Sequence, residues 1–139
     1  MKTDLHLTLP KGTCREAFAL YARALHTKPT FVMTYGEAPP PSPVPAEDND
    51  LIMHMSMPVG SMMLMGCDNA TGGATPVGGF QISLSLDDEA EVKRIFAELS
   101  EGGSVSMAPQ ATFWTPLFSM FTDKYDVGWM VSVPGPQPE

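Results

Sequence analysis

Covalent chemistry would most readily come from Cys14, which lies where a helix is predicted to begin. A thiol at a helix N-terminus can have a lowered pKa and act as a nucleophile. Cys14 also falls on the apolar stripe of that helix, which favours a buried, inert thiol. Cys67 forms no CxxC pair with it, and two cysteines are too few for a disulfide framework. We therefore interpret both residues as free thiols in a reducing cytoplasm.

Other catalytic motifs are missing or incomplete. The sequence has no GxSxG nucleophile elbow. Gly72-Gly73 lacks the strand-to-helix context and the lysine of a phosphate-binding loop, so we interpret it as part of a linker. His26, at the end of the first predicted helix, is interpreted as a favourable charge at a helix C-terminus or as a solvated side chain.

The composition of the chain excludes several classes of protein. The chain of 139 residues fits one domain, and its 43% of hydrophobic residues is enough for a core. Eight basic residues against 16 acidic ones give a net charge of −8, which disfavours nucleic acid and anionic lipid as partners. No apolar run approaches the ~20 residues that cross a bilayer, and no signal-peptide pattern is present. We predict a soluble, cytoplasmic protein.

The first half of the chain predicts one helix and four strands. Alternation of polar and apolar residues over Leu5–Leu9 predicts the first strand. Thr13 and Glu16 fit a capping box, and the apolar stripe behind them predicts a helix from about Cys14 to Leu25. Further strands are predicted at residues 28–35, 51–57 and 61–66, with a hairpin turn at 58–60 between the last two.

Residues 36–50 contain five prolines and predict an extended loop, because proline cannot donate to a strand ladder. This loop and the Pro-rich tail at residues 134–138 also leave open a function as an interaction module. Both would then recruit other proteins, although the tail is more simply a disordered end.

The second half repeats the same order of elements. Polar and apolar residues alternate over residues 80–86, which predicts a strand. A helix is predicted to begin at Asp88 and to end at Gly102-Gly103, and its apolar stripe runs from Val92 to Leu99. Three strands follow at 104–108, 117–122 and 127–133. We predict one domain over residues 1–139: a βαβββ module at 3–67, a linker at 68–79, a second module at 80–134 and a disordered tail at 135–139.

Five short motifs occur in an order that resembles one known family. They are Thr13–Phe18 with Tyr21, Tyr35–Pro40, Gln81–Asp88 with Arg94–Phe96, Thr112–Trp114, and Thr122–Lys124 with Val127, Trp129 and Met130. The chain thereby resembles the PhnB-like family of the vicinal oxygen chelate superfamily, which includes glyoxalase I, the fosfomycin and bleomycin resistance proteins and the extradiol dioxygenases. The resemblance implies an α+β fold of paired βαβββ modules with two helices outside curved mixed sheets. It also implies a homodimer and a cup-shaped cavity.

Catalytic members of that superfamily hold a divalent metal ion with His, Glu or Gln side chains on their first, fourth, fifth and eighth strands. The resemblance places His6, or Asp4 on the same face, on the first strand and Gln81 on the fifth. It places Met130 on the eighth strand, where a chelating member would carry Glu, and a thioether is a poor ligand for such ions. The fourth strand offers no acid or imidazole, although His54 lies on the third strand beside it. The metal site is therefore predicted to be broken.

Two functions remain open on these residues. The first is a metal-free protein, with no cofactor, that binds a small, partly apolar molecule. Its predicted cavity-lining residues are His6, Thr8, His54, Gln81, Ser83, Phe113, Trp114 and Met130. The alternative is a lyase or transferase that depends on a divalent metal ion, with His6, His54 and Gln81 as candidate ligands. The first is favoured because a catalytic metal site needs three converging protein ligands. Phe113 and Trp114 could equally bury themselves at a dimer interface.

Overall fold

The computed structural model describes residues 1–73 and 78–135. The chain divides into two compact units, Met1–Thr75 and Pro76–Glu139. Most of the predicted disordered tail, and residues 74–77 of the predicted linker, lie outside the described residues. The linker, the tail and the module boundaries therefore stay predictions.

The first unit contains one helix and one sheet of four strands. The strands are β1 (Leu5–Leu9), β2 (Phe31–Thr34), β3 (Ile52–Val59) and β4 (Met62–Asp68), and helix α1 spans Cys14–Ala24. The sheet order is β1-β4-β3-β2, with β1 parallel to β4 and the other pairs antiparallel. The sheet is therefore mixed, and β4 lies between β1 and β3.

The second unit repeats this arrangement. Its strands are β5 (Ile82–Ser85), β6 (Ser104–Gln110), β7 (Leu117–Thr122) and β8 (Gly128–Val133), and helix α2 spans Glu89–Ser100. The sheet order is β5-β8-β7-β6, again with one parallel pair, between β5 and β8. Two βαβββ units of the same topology confirm the predicted α+β fold class.

Alternation along the strands decides which residues form each core. In the first unit Leu7, Leu9 and Leu64 are buried. Helix α1 packs so closely on β4 that a Cβ at Gly66 would lie 2.7 Å from a ring carbon of Phe18, so only glycine fits there. In the second unit Val92, Ile95 and Leu99 of α2 are buried, as their helical spacing predicts.

The predicted capping box at the start of α1 is wrong. The Thr13 hydroxyl donates to the Pro10 carbonyl at 2.6 Å and does not cap the helix. The carboxyl group of Asp68, at the end of β4, instead accepts a hydrogen bond from the Cys14 amide at 3.0 Å. A residue distant in sequence has therefore replaced the local cap. In α2 the expected local cap is present, since Asp88 Oδ1 accepts from the Ala90 amide at 2.9 Å.

Two connections also differ from the predictions. The β3–β4 turn lies at Gly60-Ser61 rather than at 58–60, because β3 continues through Pro58 to Val59 and Gly60 takes a φ of 55°. The Pro-rich loop is only partly extended, since Tyr35–Glu37 and Ala46–Asp48 form short 3₁₀ helices. The Gly36 amide donates to the Asn49 carbonyl at 2.9 Å, which joins the two ends of this loop.

Within the described part of the chain, no helix is long and apolar enough to cross a membrane.

Candidate functional site

The face of the first sheet that α1 does not cover collects most of the chemically active side chains of the first unit. We call it the helix-free face of the first sheet. Strand register places on it His6 and Thr8 of β1, Phe31 of β2, His54 and Ser56 of β3, and Met65 and Cys67 of β4. His6 and Thr8 are exposed, whereas Leu7 and Leu9, which alternate with them, are buried. The two-residue period of a strand therefore sorts reactive from structural residues here.

The structure brings together His6 and His54, two of the residues that the sequence singled out. Their rings are stacked, with centroids 5.7 Å apart and planes 17° from parallel. They belong to β1 and β3, which β4 separates, so the two side chains meet over β4. The ring of Phe31 lies 5.9 Å from that of His54, which extends the pair into a row of three rings.

The surroundings of His6 favour the neutral form of its imidazole. Burial lowers the pKa of His6 below its usual value, and the positive charge that His54 would carry lowers it further. A neutral imidazole carries one N–H donor and one nitrogen lone pair. His6 can therefore both donate to and accept from a bound group, and its lone pair can bind a metal ion.

Sequence reasoning missed three neighbours of this pair. Phe31 was predicted only as part of a strand, and Cys67 only as a free thiol. Met65 pairs directly with His6 in the β1–β4 register. The sulfur of Cys67 lies 3.8 Å from the hydroxyl oxygen of Thr8, the strand neighbour on β1. The alternation of Met63, Met65 and Cys67 was visible in the sequence, but which face they share with His6 depends on strand register.

A bulge in β3 takes Met53 off the face that Met55 and Met57 share. Met33 pairs with His54, but the next residue, Thr34, pairs with Ile52. Met53 is therefore extra in β3 and half-buried, while Met55 and Met57 are buried.

In the second unit, the helix-free face of the second sheet has a different chemistry. Ser83 of β5 pairs with Met130 of β8, which in turn pairs with Met120 of β7. Gln81 is exposed and precedes β5, and its Cγ would lie 3.1 Å from a Cβ placed on Gly128. Gln81, Ser83 and Met130 were predicted as site residues, and with Met120 they offer an amide, a hydroxyl and two thioethers. All three histidines of the chain lie in the other unit.

Phe113 and Trp114 lie in the loop between β6 and β7. Phe113 is 97% exposed, and Trp114 is 47% exposed. Their rings pack edge to face at 4.8 Å, and Trp114 also contacts Phe118 at 5.5 Å. An apolar patch of this kind is typical of a surface that binds a ligand or another protein.

Cys14 does not belong to any reactive site. Its thiol is buried, and burial raises its pKa, with the negative charge of Asp68 acting in the same direction. The interpretation of Cys14 as an inert thiol agrees with this environment. Cys67 is half-buried on the helix-free face of the first sheet.

The residues present do not fit the divalent metal site of catalytic relatives. Within residues 1–73 and 78–135, no three His, Cys, Asp or Glu side chains lie close enough to hold one ion. The β8 position carries the thioether of Met130, and thioethers bind hard and borderline divalent ions poorly. The absence of a bound divalent ion itself stays a prediction, as does the cup-shaped cavity.

Comparison with known proteins gives one family and several similar chains. The profile of the Glyoxalase/Bleomycin resistance protein/Dioxygenase superfamily matches residues 5–131. Protein YjdN of Escherichia coli (strain K12) is 31% identical over 135 residues, which cover 91% of this chain and 92% of that protein.

Solved structures have the same fold. The crystal structure of protein PA1353 from Pseudomonas aeruginosa matches with a TM-score of 0.84 and 38% identity, covering 96% of this chain and 98% of that one. The PhnB protein from Bacillus cereus matches with a TM-score of 0.81 at 18% identity, over 96% of this chain and 99% of that one. At such low identity the second match speaks for the fold alone.

Proposed function

We propose a function from one premise: the chain belongs to the Glyoxalase/Bleomycin resistance protein/Dioxygenase superfamily. This membership confirms the resemblance predicted from the five motifs. A fold shared by lyases, dioxygenases and resistance proteins does not fix the activity, so the proposal depends on the residues of the site. The protein binds a small, partly apolar organic molecule against the helix-free face of the first sheet, and it does so without a divalent metal ion.

The observation that carries the proposal is the stacked pair of His6 and His54 beside Phe31. Two imidazoles offer ring nitrogens for hydrogen bonding, whereas Phe31 and the thioether of Met65 offer apolar contact. Phe31 is 45% exposed, so its ring face is accessible to a ligand. A molecule with one polar group and an aromatic or aliphatic body complements this surface.

The second sheet supplies further candidates for ligand contact. Ser83 and Met130 lie side by side on its helix-free face, and Gln81 immediately precedes β5. A hydroxyl, an amide and a flexible thioether suit a ligand of mixed polarity as well. We propose these residues as contacts of lower affinity, because no imidazole stands among them in the described part of the unit.

Fragment binding followed by NMR tests the proposal. Phenol, benzoate and benzyl alcohol serve as probes, and the amide shifts of the full chain are recorded. We expect the shifts to cluster at His6, Phe31 and His54, and His54→Ala to weaken binding by about tenfold or more. The matched control is His26→Asn, an exposed histidine with a φ of 53° that asparagine tolerates. Shifts confined to other surfaces, or equal binding by the His54 variant, would contradict the proposal.

Metal titration separates this function from the enzymatic alternative. We expect Zn²⁺, Mn²⁺ and Ni²⁺ to show no stoichiometric binding by calorimetry. One divalent ion per chain at micromolar Kd, abolished by His6→Ala, would instead favour a metal-dependent lyase or transferase.

A homodimer is part of the proposal, with Phe113 and Trp114 at its interface. Phe113 is almost fully exposed in the single chain, and aromatic residues are enriched at interfaces. Light scattering coupled to size exclusion should give twice the mass of the chain, and Phe113→Ser should shift the protein toward the monomer. Phe80→Ser, at another exposed phenylalanine of the same unit, is the control. A dimer unaffected by Phe113→Ser would place the interface elsewhere.

A further inference from the structure

The imidazole pair of the first unit stands over a strand that carries soft sulfur ligands. β4 lies between β1 and β3, and Met65 of β4 pairs with His6 on one side and with Ser56 on the other. His54 is two residues from Ser56 on β3 and shares its face. Met65 is therefore the direct cross-strand neighbour of His6 and a diagonal neighbour of His54 on one face of the sheet.

The spacing of the rings suits a shared ion. An imidazole nitrogen binds a transition-metal ion at about 2 Å, so two rings that share one ion have centroids within roughly 6 Å of each other. The centroids of His6 and His54 are 5.7 Å apart. Their nearly parallel planes must rotate to aim two nitrogens at one ion, and that side-chain torsion of histidine is broad and easily changed.

The donor types select the ion. Hard ions take oxygen ligands, and structural or catalytic zinc takes Cys, His or carboxylate ligands, usually three or four. In residues 1–73 and 78–135 no third His, Cys, Asp or Glu completes such a set around these two histidines. Two imidazoles with a thioether suit copper in its monovalent state, because thioethers favour Cu⁺ and imidazole is a good copper ligand.

We infer that His6, His54 and Met65 form a binding site for one soft monovalent cation, Cu⁺ or its analogue Ag⁺. The site lies entirely within the first unit, on β1, β3 and β4, and uses no residue of the second module. It goes beyond the proposed function, since it requires no organic ligand. The two can fail separately, because fragment binding is measured without metal.

The test removes the competing thiol first. Cys67 lies on the same face and would bind Ag⁺ or Cu⁺ by itself, so the full chain is studied as Cys67→Ser, while Cys14 stays buried. Ag⁺ is titrated by calorimetry, and Cu⁺ is titrated without oxygen against a chromophoric chelator. We expect one ion per chain, no comparable uptake of Zn²⁺, and a shift of the ring-proton NMR signals of His6 and His54.

Matched variants then identify the ligands. Met65→Leu preserves volume, and we expect it and His6→Ala to weaken binding by about tenfold or more. Met130→Leu and His26→Asn are the controls and should bind as the parent does, because Met130 pairs with serine and methionine rather than histidine. Circular dichroism confirms that each variant is folded.

Three outcomes would overturn the inference. The first is no stoichiometric Ag⁺ or Cu⁺ binding by the folded Cys67→Ser protein. The second is equal loss of affinity in Met65→Leu and Met130→Leu, which would indicate scattered methionine binding. The third is Zn²⁺ uptake as tight as that of Ag⁺, which would mean that the thioether does not select the ion.

Discussion

The two units share one topology and differ in the chemistry of their helix-free faces. Each has a parallel pair at one end of the sheet, an antiparallel hairpin and one covering helix. The first sheet presents two stacked imidazoles, a phenylalanine and a thiol. The second presents serines and the thioethers of Met120 and Met130. The core face of a strand is constrained by packing, whereas the opposite face is free to carry different functions.

The units also differ in how they use a buried acid. Asp68 is 3% exposed at the end of β4 and accepts from two backbone amides, of Cys14 at 3.0 Å and of Ile52 at 2.8 Å. Asp68 thus connects the end of β4 to the start of α1 and to the start of β3. Asp123 is 1% exposed after β7 and organises the turn into β8. One acid connects distant elements and the other shapes a local turn.

The largest expected effect is from Asp123→Ala in the second unit. Asp123 accepts from the amides of Tyr125 and Val127 and from the indole Nε1 of Trp129, at 2.8, 3.1 and 2.9 Å. Removing the carboxyl group leaves these buried donors without it, so we expect the free energy of unfolding to fall by about 4 kcal/mol. Urea denaturation measures it, with the exposed Asp87→Ala as control. A loss below about 1 kcal/mol would mean that the turn is held by other contacts.

The next largest effect is expected from Asp68→Ala in the first unit. We expect the free energy of unfolding to fall by about 3 kcal/mol, because the change leaves two buried amide donors without an acceptor. The matched control is Asp50→Ala, at an exposed acid of the same unit, which should lower the free energy of unfolding by less than about 0.5 kcal/mol. If Asp68→Ala cost no more than Asp50→Ala, the long-range cap would have no energetic role.

The two thiols of the first unit should react at very different rates. The buried Cys14 has a raised pKa and stays protonated and inaccessible, whereas Cys67 is half-buried on the helix-free face. At pH 8 we expect iodoacetamide to alkylate Cys67 at least about a hundredfold faster than Cys14. Peptide mass spectrometry measures both sites in one sample, and urea should abolish the difference. Comparable native rates would contradict the burial of Cys14.

The smallest effect compares the starts of the two helices. Asp88→Ala removes a side-chain cap of α2 and should cost about 1 kcal/mol. Thr13→Ala should cost less than about 0.5 kcal/mol, because the Thr13 hydroxyl donates to Pro10 and caps no amide of α1. Thermal unfolding of both variants measures the two losses of stability. A larger loss for Thr13→Ala than for Asp88→Ala would mean that Thr13 does cap α1.

Most elements of the fold could be predicted because their signals are local. The alternation of Leu5–Leu9 and the apolar stripe from Val92 to Leu99 report which side faces a core within a few residues. The predicted strand at 117–122 agrees with β7, and Gly102, with a φ of 78°, follows the end of α2 as expected. The predicted Thr13 cap is wrong because a threonine hydroxyl can form several local hydrogen bonds. Which of them forms depends on Asp68, a residue distant in sequence that accepts from the first amide of the helix.

The candidate site was predictable residue by residue but not as a group. His6 and His54 stood out by type, yet 47 positions of sequence separate them and no local pattern pairs them. Phe31 gave no chemical signal by itself. Its role follows from lying on the strand next to β3, at the register that faces Ser56.

By itself, the sequence determined the order of elements, the repeat of two βαβββ units and the family, since periodicity, helix stops and ordered motifs are properties of contiguous residues. Only the tertiary structure decided that β4 runs between β1 and β3, that His6 and His54 therefore meet over β4, and that Asp68 reaches the start of α1. These contacts depend on strand pairing and register, which join residues far apart in the chain through hydrogen bonds that no local pattern specifies.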